Sequence, residues 1–195
     1  MYKNGLKRIF DFTVALFAFL LLSPFFILIC LLIKLDSPGP ILFKQRRIGK
    51  NKSEFLILKF RSMKIDTPKD QPTHLLSNPD AYITSLGKFL RRSSLDELPQ
   101  LLNIIAGQMS IVGPRPALYN QYDLIVLRDE QNANSVRPGL TGWAQVNGRD
   151  ELSLDVKAKL DGEYIGRISF LFDLKCILRT FKSVSTADGI VEGKT

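Results

Sequence analysis

Histidine and cysteine are nearly absent from this sequence. Its 195 residues include one histidine, His74, and two cysteines, Cys30 and Cys176. His74 lies in a polar stretch with no second residue at zinc-ligand spacing and no nucleophile nearby, which is typical of a solvated loop histidine. The cysteines predict no disulfide framework and favour a reducing compartment. Acid–base or nucleophilic chemistry would therefore depend on carboxylates.

Acidic residues are also the minority among the charged residues. The sequence has 27 Lys and Arg against 19 Asp and Glu, a net charge of +8. Residues 41–64 are strongly basic and contain a single acid, Glu54. Because this basic tract follows an apolar segment, it favours contact with anionic lipid headgroups. Nucleic acid is the competing partner, but no helix-turn-helix or RNA-binding signature is present, so we expect none.

A single apolar run dominates the N-terminal part, and no repeat or second domain accompanies it. Residues 9–33 carry one charge, Asp11, and a straight helix of that length would reach about 37 Å, enough to cross a bilayer. Ser23-Pro24 interrupts the run near its middle, where proline removes a backbone hydrogen bond. Basic residues flank both ends, which favours keeping both on the cytoplasmic side. The residues alone leave a kinked span and a re-entrant hairpin open.

The rest of the chain predicts a small hairpin followed by helices. Alternating residues indicate two strands, apolar residues at helical spacing indicate helices, and tracts rich in Gly, Pro and polar residues indicate loops. The last helix is amphipathic, which fits either the membrane interface or a surface helix that covers the core. The predicted strands are 41–48 and 55–60, the predicted helices 81–92, 95–105, 118–129 and 170–184, and the loops 66–79 and 136–149.

One short tract carries the chemistry. Asp96 and Glu97 are adjacent at a predicted helix start, and Arg91 and Arg115 stand on either side of them in sequence. A carboxylate can attack phosphorus or hold a divalent metal, while arginines bind phosphate oxygens. The same residues also fit a capping box from Ser94 to Glu97, in which Glu97 only closes the helix. The tract therefore predicts either a phosphoryl-transfer site or a helix cap.

Several long motifs along nearly the whole chain occur in the order typical of a known family. The motifs are residues 7–11, 23–24, 45–49, 59–63, 95–100, 112–116 and 137–149. By these motifs the sequence resembles the bacterial sugar transferase family, the small monotopic polyprenyl-phosphate phosphoglycosyl transferases that start glycoconjugate assembly.

The resemblance implies an α+β fold that is mainly helical. Residues 1–36 would form a re-entrant membrane helix, broken at Ser23-Pro24, that enters one leaflet. Residues 37–195 would form a compact helical catalytic domain with a small basic β-hairpin and an interfacial C-terminal helix. The implied location is the cytosolic face of the bacterial inner (cytoplasmic) membrane.

The resemblance also implies a reaction in two steps. Asp96 would attack the sugar-linked phosphate of a UDP-sugar, release UMP and retain the phosphosugar. Polyprenyl phosphate (undecaprenyl phosphate) would then attack this intermediate, in the first membrane step of polysaccharide or glycoprotein glycan assembly. Glu97 would assist, either by binding Mg²⁺ together with Asp96 or by deprotonating the lipid phosphate. The sugar remains open: N-acetylated sugars are favoured over hexoses, and a homodimer is a possible state.

Further residues receive binding roles from the family's motifs. Arg91 and Arg115 match phosphate-binding positions, and the turn of Pro114, Arg115 and Pro116 would contact the nucleotide. Asp161 matches a late acidic position linked to the active site. The remaining motif residues would bind donor or lipid phosphate, or hold the long loop together: Lys59, Arg61, Arg137, Gln145, Asn147 and Arg149.

Two other functions use the same residue types. A phosphatase that works through a phospho-aspartate is disfavoured, because Leu98 stands where the common layout has a second acid two residues after the nucleophile. A non-catalytic protein that binds anionic lipids would need the basic tract and the amphipathic helix but would have no use for Asp96.

Overall fold

The fold is mainly helical with a small amount of sheet, as the sequence predicts. The computed structural model describes residues 2–68, 79–148 and 151–186, so His74 and Arg149 lie outside the described residues. The helices are α1 (Leu6–Asp36), α2 (Ser85–Arg92), α3 (Gln100–Ile105), α4 (Tyr122–Glu130), α5 (Leu154–Arg167) and α6 (Phe170–Thr186), and the strands are β1 (Leu42–Ile48), β2 (Glu54–Phe60), β3 (Ser110–Val112) and β4 (Gly139–Thr141).

The apolar run forms one long helix. Within the described ranges, α1 is the one helix long and apolar enough to cross a membrane. Its 31 residues include Pro24 without a change of element, so the predicted break at Ser23-Pro24 is not seen. The Ser23 hydroxyl donates to the carbonyl of Leu20 at 2.8 Å, a bond that keeps this polar group satisfied inside the helix. Entry of α1 into a single leaflet remains a prediction.

One face of α1 packs against the rest of the protein along the helix. Near the start, the Arg8 guanidinium donates to the carbonyl of Ile104 at the end of α3. Farther along, the rings of Phe26 and Phe60 lie 5.3 Å apart, and Arg61 binds carbonyls at the end of α1. The opposite face is exposed and apolar: Leu6, Ile9, Phe12, Phe17, Leu20, Leu21, Phe25, Ile27, Leu28, Leu31 and Leu35.

A buried polar network fixes the first turns of α1. Lys7 forms an ion pair with Asp173 on α6, and the hydroxyl of Tyr164 donates to the same carboxylate at 2.8 Å. Asp11 accepts a bond of 2.6 Å from the Ser110 hydroxyl on β3. Because buried carboxylates need such partners, this network ties α1, β3, α5 and α6 together.

Strands β1 and β2 pair antiparallel, with Arg47 opposite Phe55. Phe55 and Ile57 belong to the core that α3 and part of α1 also line. Lys59, near the end of β2, faces the tract that contains the two adjacent carboxylates. The pair thus positions basic side chains beside that tract, while its position at a membrane surface remains a prediction.

The predicted long loop contains a short strand, β4, which pairs in parallel with β3. Here two backbones approach closely, because a Cβ atom at Gly142 would lie 2.1 Å from the carbonyl oxygen of Gly113. Gly139 is as restricted, since its Cβ would lie 2.1 Å from the Gly113 nitrogen. The glycines of this motif therefore allow the loop to support the chain immediately before Pro114.

Helix α6 is amphipathic, as predicted. Lys175 and Arg179 lie over the ring of Trp143, with the Arg179 guanidinium carbon 4.9 Å from its centroid. Leu171 and Phe181 are exposed. The placement of this helix at a membrane interface remains a prediction.

The remaining helix predictions hold with changed bounds. The segment 81–92 is helical only from Ser85, because the 3₁₀ turn Pro79–Ala81 ends at its first residue and Ile83 forms an isolated β-bridge with Met63. The hydroxyl of Thr84 caps α2 by accepting from the Gly87 amide. The segment 118–129 forms α4, which starts at Tyr122. Helix α5 was not predicted from the sequence.

Candidate active site

The two adjacent carboxylates lie in a short 3₁₀ helix, Leu95–Glu97, between α2 and α3. The predicted capping box is wrong: Ser94 has φ 56° and ψ 15°, in the left-handed region, and its side chain makes no capping bond. A non-glycine residue in this conformation is uncommon and is often found at functional sites. The predicted helix 95–105 is likewise divided, because α3 starts only at Gln100 after Pro99.

Glu97 is held by two cations instead of closing a helix. Its Oε1 atom accepts from Lys59 Nζ at 2.8 Å and from Arg115 Nη2 at 2.9 Å. Burial alone would raise the pKa of the Glu97 carboxyl, but the charges and hydrogen bonds of these two cations outweigh it and hold the pKa well below its usual range. Glu97 is therefore ionised at neutral pH and is a weak base.

Asp96 has a different environment. Its side chain is buried, with 6% exposed, and burial raises the pKa of its carboxyl above the ordinary value. Lys59 lowers that pKa in turn, Glu97 raises it, and Arg91 and Arg115 also lower it. Two adjacent carboxyls are thus pushed in opposite directions, an arrangement that commonly accompanies distinct catalytic roles.

A pocket of about 370 Å³ opens beside Asp96. Of the described residues that line this pocket, Asp96 is the acid, and the other charged residues are basic. Because the positive charges outnumber the negative one, the pocket suits an anionic ligand that would approach Asp96. The basic lining residues are Lys44, Arg47, Lys59, Arg61, Lys64 and Arg91.

Arg115 reaches Glu97 from a turn between two prolines, Pro114 and Pro116. Arg47 Nη1 donates to the carbonyl of Pro116 at 3.0 Å. Arg128 Nη1 donates to the carbonyl of Arg115 itself at 2.8 Å. Two guanidinium groups thus hold consecutive carbonyls of the turn that presents Arg115.

Asp161 does not contact the adjacent carboxylates but pairs with Arg128. The Arg128 Nη2 atom lies 2.6 Å from Asp161 Oδ2, and both side chains are buried. Burial raises the pKa of the Asp161 carboxyl, against the charge of Arg128. Asp161 is thus connected to Arg115 through one intermediate residue, Arg128.

Other predicted binding residues bond mainly to the backbone of the fold. Arg61 lines the pocket, but its guanidinium donates to the carbonyls of residues 37 and 38. Arg137 donates to the Gly107 carbonyl, Gln145 to that of Leu140, and Asn147 to that of Trp143. These bonds agree with the alternative that several motif residues hold the long loop together.

Arg47 lies in the motif 45–49 but received no predicted binding role, and Arg128 was not predicted to have any role. Arg47 stands two residues after Gln45 on β1, so both side chains point to one face, and Gln45 Oε1 accepts from Arg47 Nε at 3.0 Å. Burial lowers the pKa of Arg47 to about 9, and the charge of Arg115 contributes. The alternation of β1 could have indicated Arg47. For Arg128 no pattern in the sequence separates it from a surface residue.

The donors near Asp96 are compatible with Mg²⁺. Within residues 2–68, 79–148 and 151–186 no group of three or more metal-ligating side chains occurs. Mg²⁺, however, commonly takes one or two carboxylates and completes its shell with water and substrate phosphates. Glu97 Oε1 already accepts two bonds, so Oε2 and the Asp96 oxygens would be the donors for a metal. The residues present fit an ion that a bound diphosphate would complete.

Comparison with known proteins places this site in a family. The model of the family described as "Bacterial sugar transferase" matches residues 2–187. The chain is 39% identical to "Uncharacterized sugar transferase EpsL" of Bacillus subtilis, over 95% of this chain and 90% of the relative. It is 41% identical to the "UDP-glucose:undecaprenyl-phosphate glucose-1-phosphate transferase" of Escherichia coli, over 90% of this chain and 39% of the relative.

A third relative has a different sugar in its name. The chain is 35% identical to the "UDP-N-acetylgalactosamine-undecaprenyl-phosphate N-acetylgalactosaminephosphotransferase" of Aeromonas hydrophila, over 94% of this chain and 44% of the relative. The last two relatives are longer proteins, whereas the B. subtilis protein is nearly the same length. With the family model covering almost the whole chain, these identities show that this protein belongs to the bacterial sugar transferase family.

Proposed function

We propose that this protein transfers a sugar 1-phosphate from a UDP-sugar to polyprenyl phosphate through a covalent phosphosugar on Asp96. The observation that carries the proposal is the basic pocket beside Asp96. Of the described residues that line it, Asp96 is the acid, and the other charged residues are basic. The names of two relatives, which contain a UDP-sugar and undecaprenyl phosphate, support the substrate classes.

In the first step, an Asp96 oxygen forms a bond to the sugar-linked phosphorus of the donor. The bond from that phosphorus to the bridging oxygen breaks, and UMP leaves with the electron pair. In the second step, a phosphate oxygen of the polyprenyl phosphate attacks the same phosphorus, and Asp96 leaves as a carboxylate. A covalent intermediate lets a soluble donor and a lipid acceptor use one pocket in turn.

The cations around Asp96 offset the charge that a carboxylate meets when it attacks a diphosphate. Lys59 and Arg91 line the pocket, and Arg115 binds Glu97 and is near enough for its charge to lower the pKa of Asp96. Such groups stabilise the transferring phosphoryl oxygens without reorganising during the reaction. When bound at Asp96 and Glu97, Mg²⁺ would add to this neutralisation.

In this proposal Glu97 binds the side chains of Lys59 and Arg115 and serves as a metal ligand. Its lowered pKa and its bonds to Lys59 and Arg115 disfavour the alternative in which it deprotonates the lipid phosphate. A general base needs a pKa near the working pH, and the pKa of the Glu97 carboxyl lies far below that pH.

The enzyme would act at the cytosolic face of the inner membrane. The exposed apolar face of α1 supports membrane contact, since patches of this extent are rare on soluble monomers. Both ends of α1 contact the same domain, through Arg8 at one end and Arg61 at the other, which favours attachment from one side over a crossing. The basic residues of β1 and β2 and the exposed stripe of α6 would then face anionic headgroups. A homodimer remains a prediction.

The intact mass of the purified protein tests the chemistry. Wild type and Asp96→Asn would be incubated with Mg²⁺ and a panel of UDP-sugars, both hexoses and N-acetylated sugars, without lipid acceptor. A phosphosugar-sized mass increase in wild type alone supports the intermediate and identifies the donor. If UMP appears only after polyprenyl phosphate is added and no adduct forms, transfer is direct and Asp96 has another role.

A further inference from the structure

The proposed chemistry makes no direct use of Arg128 and Asp161, although both are almost inaccessible. Their side chains are 5% and 1% exposed. Arg128 Nε donates to Asp161 Oδ2 at 2.8 Å, and Nη2 of the same guanidinium lies 2.6 Å from that oxygen. Such a buried pair contributes little to stability compared with apolar residues of similar volume, because both charges lose their hydration. A stabilising role is therefore a weak explanation for this pair.

The third bond of the Arg128 guanidinium connects the pair to the turn that carries Arg115. Nη1 of Arg128 donates to the carbonyl oxygen of Arg115 at 2.8 Å. Arg128 belongs to α4 and Asp161 to α5, which pack against each other, so the guanidinium is fixed by two helices. The carboxylate orients the guanidinium, and the guanidinium orients one carbonyl of the turn.

That carbonyl belongs to a backbone with little freedom. Pro114 and Pro116 have fixed φ angles, and a residue that precedes proline is restricted to extended conformations. Arg47 holds the next carbonyl, that of Pro116. With both carbonyls held, the partly exposed Arg115 side chain leaves the turn in a defined direction and meets Glu97.

The charges fit a supporting role as well. Asp161 neutralises Arg128, so the pair adds no net charge behind the turn. Glu97 can balance only one of its two cations, Lys59 and Arg115, so one positive charge remains for an anion. The guanidinium of Arg115 serves phosphate binding best when its position is set before the ligand arrives.

We propose that Arg128 and Asp161 are a positioning pair for Arg115. Neither touches the substrate in this role. Asp161 orients Arg128, Arg128 fixes the Arg115 backbone, and Arg115 is thereby directed at Glu97 and the donor diphosphate. The inference rests on the proposed function for the identity of the ligand. The positioning of the Arg115 side chain by Arg128 and Asp161 does not depend on the proposed function.

A double replacement separates positioning from stability. In Arg128→Met with Asp161→Leu, both charges are removed together, so no unpaired charge remains in the core. We expect a midpoint of thermal unfolding close to that of wild type. We also expect weaker binding of UDP, measured by calorimetry, and a higher KM for the donor. An effect of about ten- to a hundredfold is expected by analogy with the loss of residues that orient metal ligands. Wild-type affinity in a stable double variant would overturn the inference.

The effect should depend on Arg115. Arg115→Ala alone removes the side chain that the pair positions, so adding the double replacement to Arg115→Ala should weaken UDP binding no further. A further loss of similar size would show that the pair acts elsewhere and would also overturn the inference. Arg128→Lys keeps the positive charge, but a lysine cannot bond the Asp161 carboxylate and the Arg115 carbonyl in one plane. This variant should therefore also bind UDP more weakly than wild type.

One readout does not require the proposed reaction. The coupling between Arg115 and Glu97 can be measured from the unfolding of Arg115→Ala, Glu97→Gln and the combined variant. This coupling should disappear when the cycle is repeated with Arg128→Met and Asp161→Leu present, and its persistence would overturn the inference. If wild type neither binds UDP nor releases UMP from any donor, the proposed function fails, while the coupling still decides the role of the pair.

Discussion

Lys59 and Glu97 connect the strand pair to the candidate active site, with Nζ of Lys59 at 2.8 Å from Oε1 of Glu97. Lys59 is also the cation that most strongly lowers the pKa of Asp96. One side chain on β2 thus influences both carboxyls.

Replacing Lys59 should shift the pH dependence of the first step. Asp96 attacks only when ionised, and burial raises its pKa, so adduct formation should increase with pH through a limb above the ordinary aspartate value of about 3.9. Lys59→Gln removes a charge that opposes this shift, and the limb should move to higher pH. The rate of adduct formation measured against pH checks this.

Lys52→Gln is the matched control for that change. Lys52 is exposed and pairs with Asp129, so its loss should leave the limb where it is. A limb that moves equally in both variants would mean that net charge, and not the local position of Lys59, sets the pKa of Asp96.

The strand pair was predictable because its signal is local. Strands predicted at 41–48 and 55–60 appear as Leu42–Ile48 and Glu54–Phe60. Helix α5 was not predicted because two of its three buried residues, Asp161 and Tyr164, carry polar groups, and an apolar periodicity therefore does not appear. The capping box failed because Ser94 is left-handed and Glu97 has stronger partners in Lys59 and Arg115, which are remote in sequence. Motifs thus identified the acids, whereas long-range contacts determine the charge environment of each.

Ser94→Gly should separate stability from activity. Glycine adopts the left-handed conformation without the penalty of a side chain, so this variant should be more stable than wild type by up to about 1 kcal/mol. The backbone before Asp96 also gains freedom, and adduct formation should become slower. Asn132→Gly, at another left-handed position, serves as the control and should leave the rate unchanged. Urea unfolding and adduct kinetics decide; a faster reaction in Ser94→Gly would contradict the role of this conformation.

Gly142→Ala should damage the turn that presents Arg115. The new Cβ would lie 2.1 Å from the Gly113 carbonyl oxygen, so one of the two backbones must move. We expect a lower midpoint of thermal unfolding and weaker UDP binding. Gly166→Ala, on α5, meets nothing within 4 Å and should stabilise the helix by about 0.5–1 kcal/mol. Equal effects of the two variants would mean that the close approach at Gly142 has no consequence.

Asp173→Asn should destabilise the attachment of α1. The carboxylate is buried, pairs with Lys7 and accepts from Tyr164, so its neutralisation leaves the Lys7 charge without its main partner. Breaking a buried pair in this way typically lowers the free energy of unfolding by about 3–5 kcal/mol. Asp123→Asn on the exposed side of α4 should change it by less than about 0.5 kcal/mol. Denaturant unfolding in detergent gives both values, and similar small changes would show that the pair is not needed.

Both flanks of α1 should be accessible from the same side of the membrane. Because Arg8 and Arg61 bind the two ends of the helix to one domain, a crossing would have to separate contacts that the fold holds together. Cysteines introduced by Lys3→Cys and Asp36→Cys, with Cys30 and Cys176 changed to alanine, should react with an impermeant maleimide in inside-out vesicles and not in right-side-out vesicles. Labelling of the two positions from opposite sides would establish a span and exclude the one-sided attachment proposed for α1.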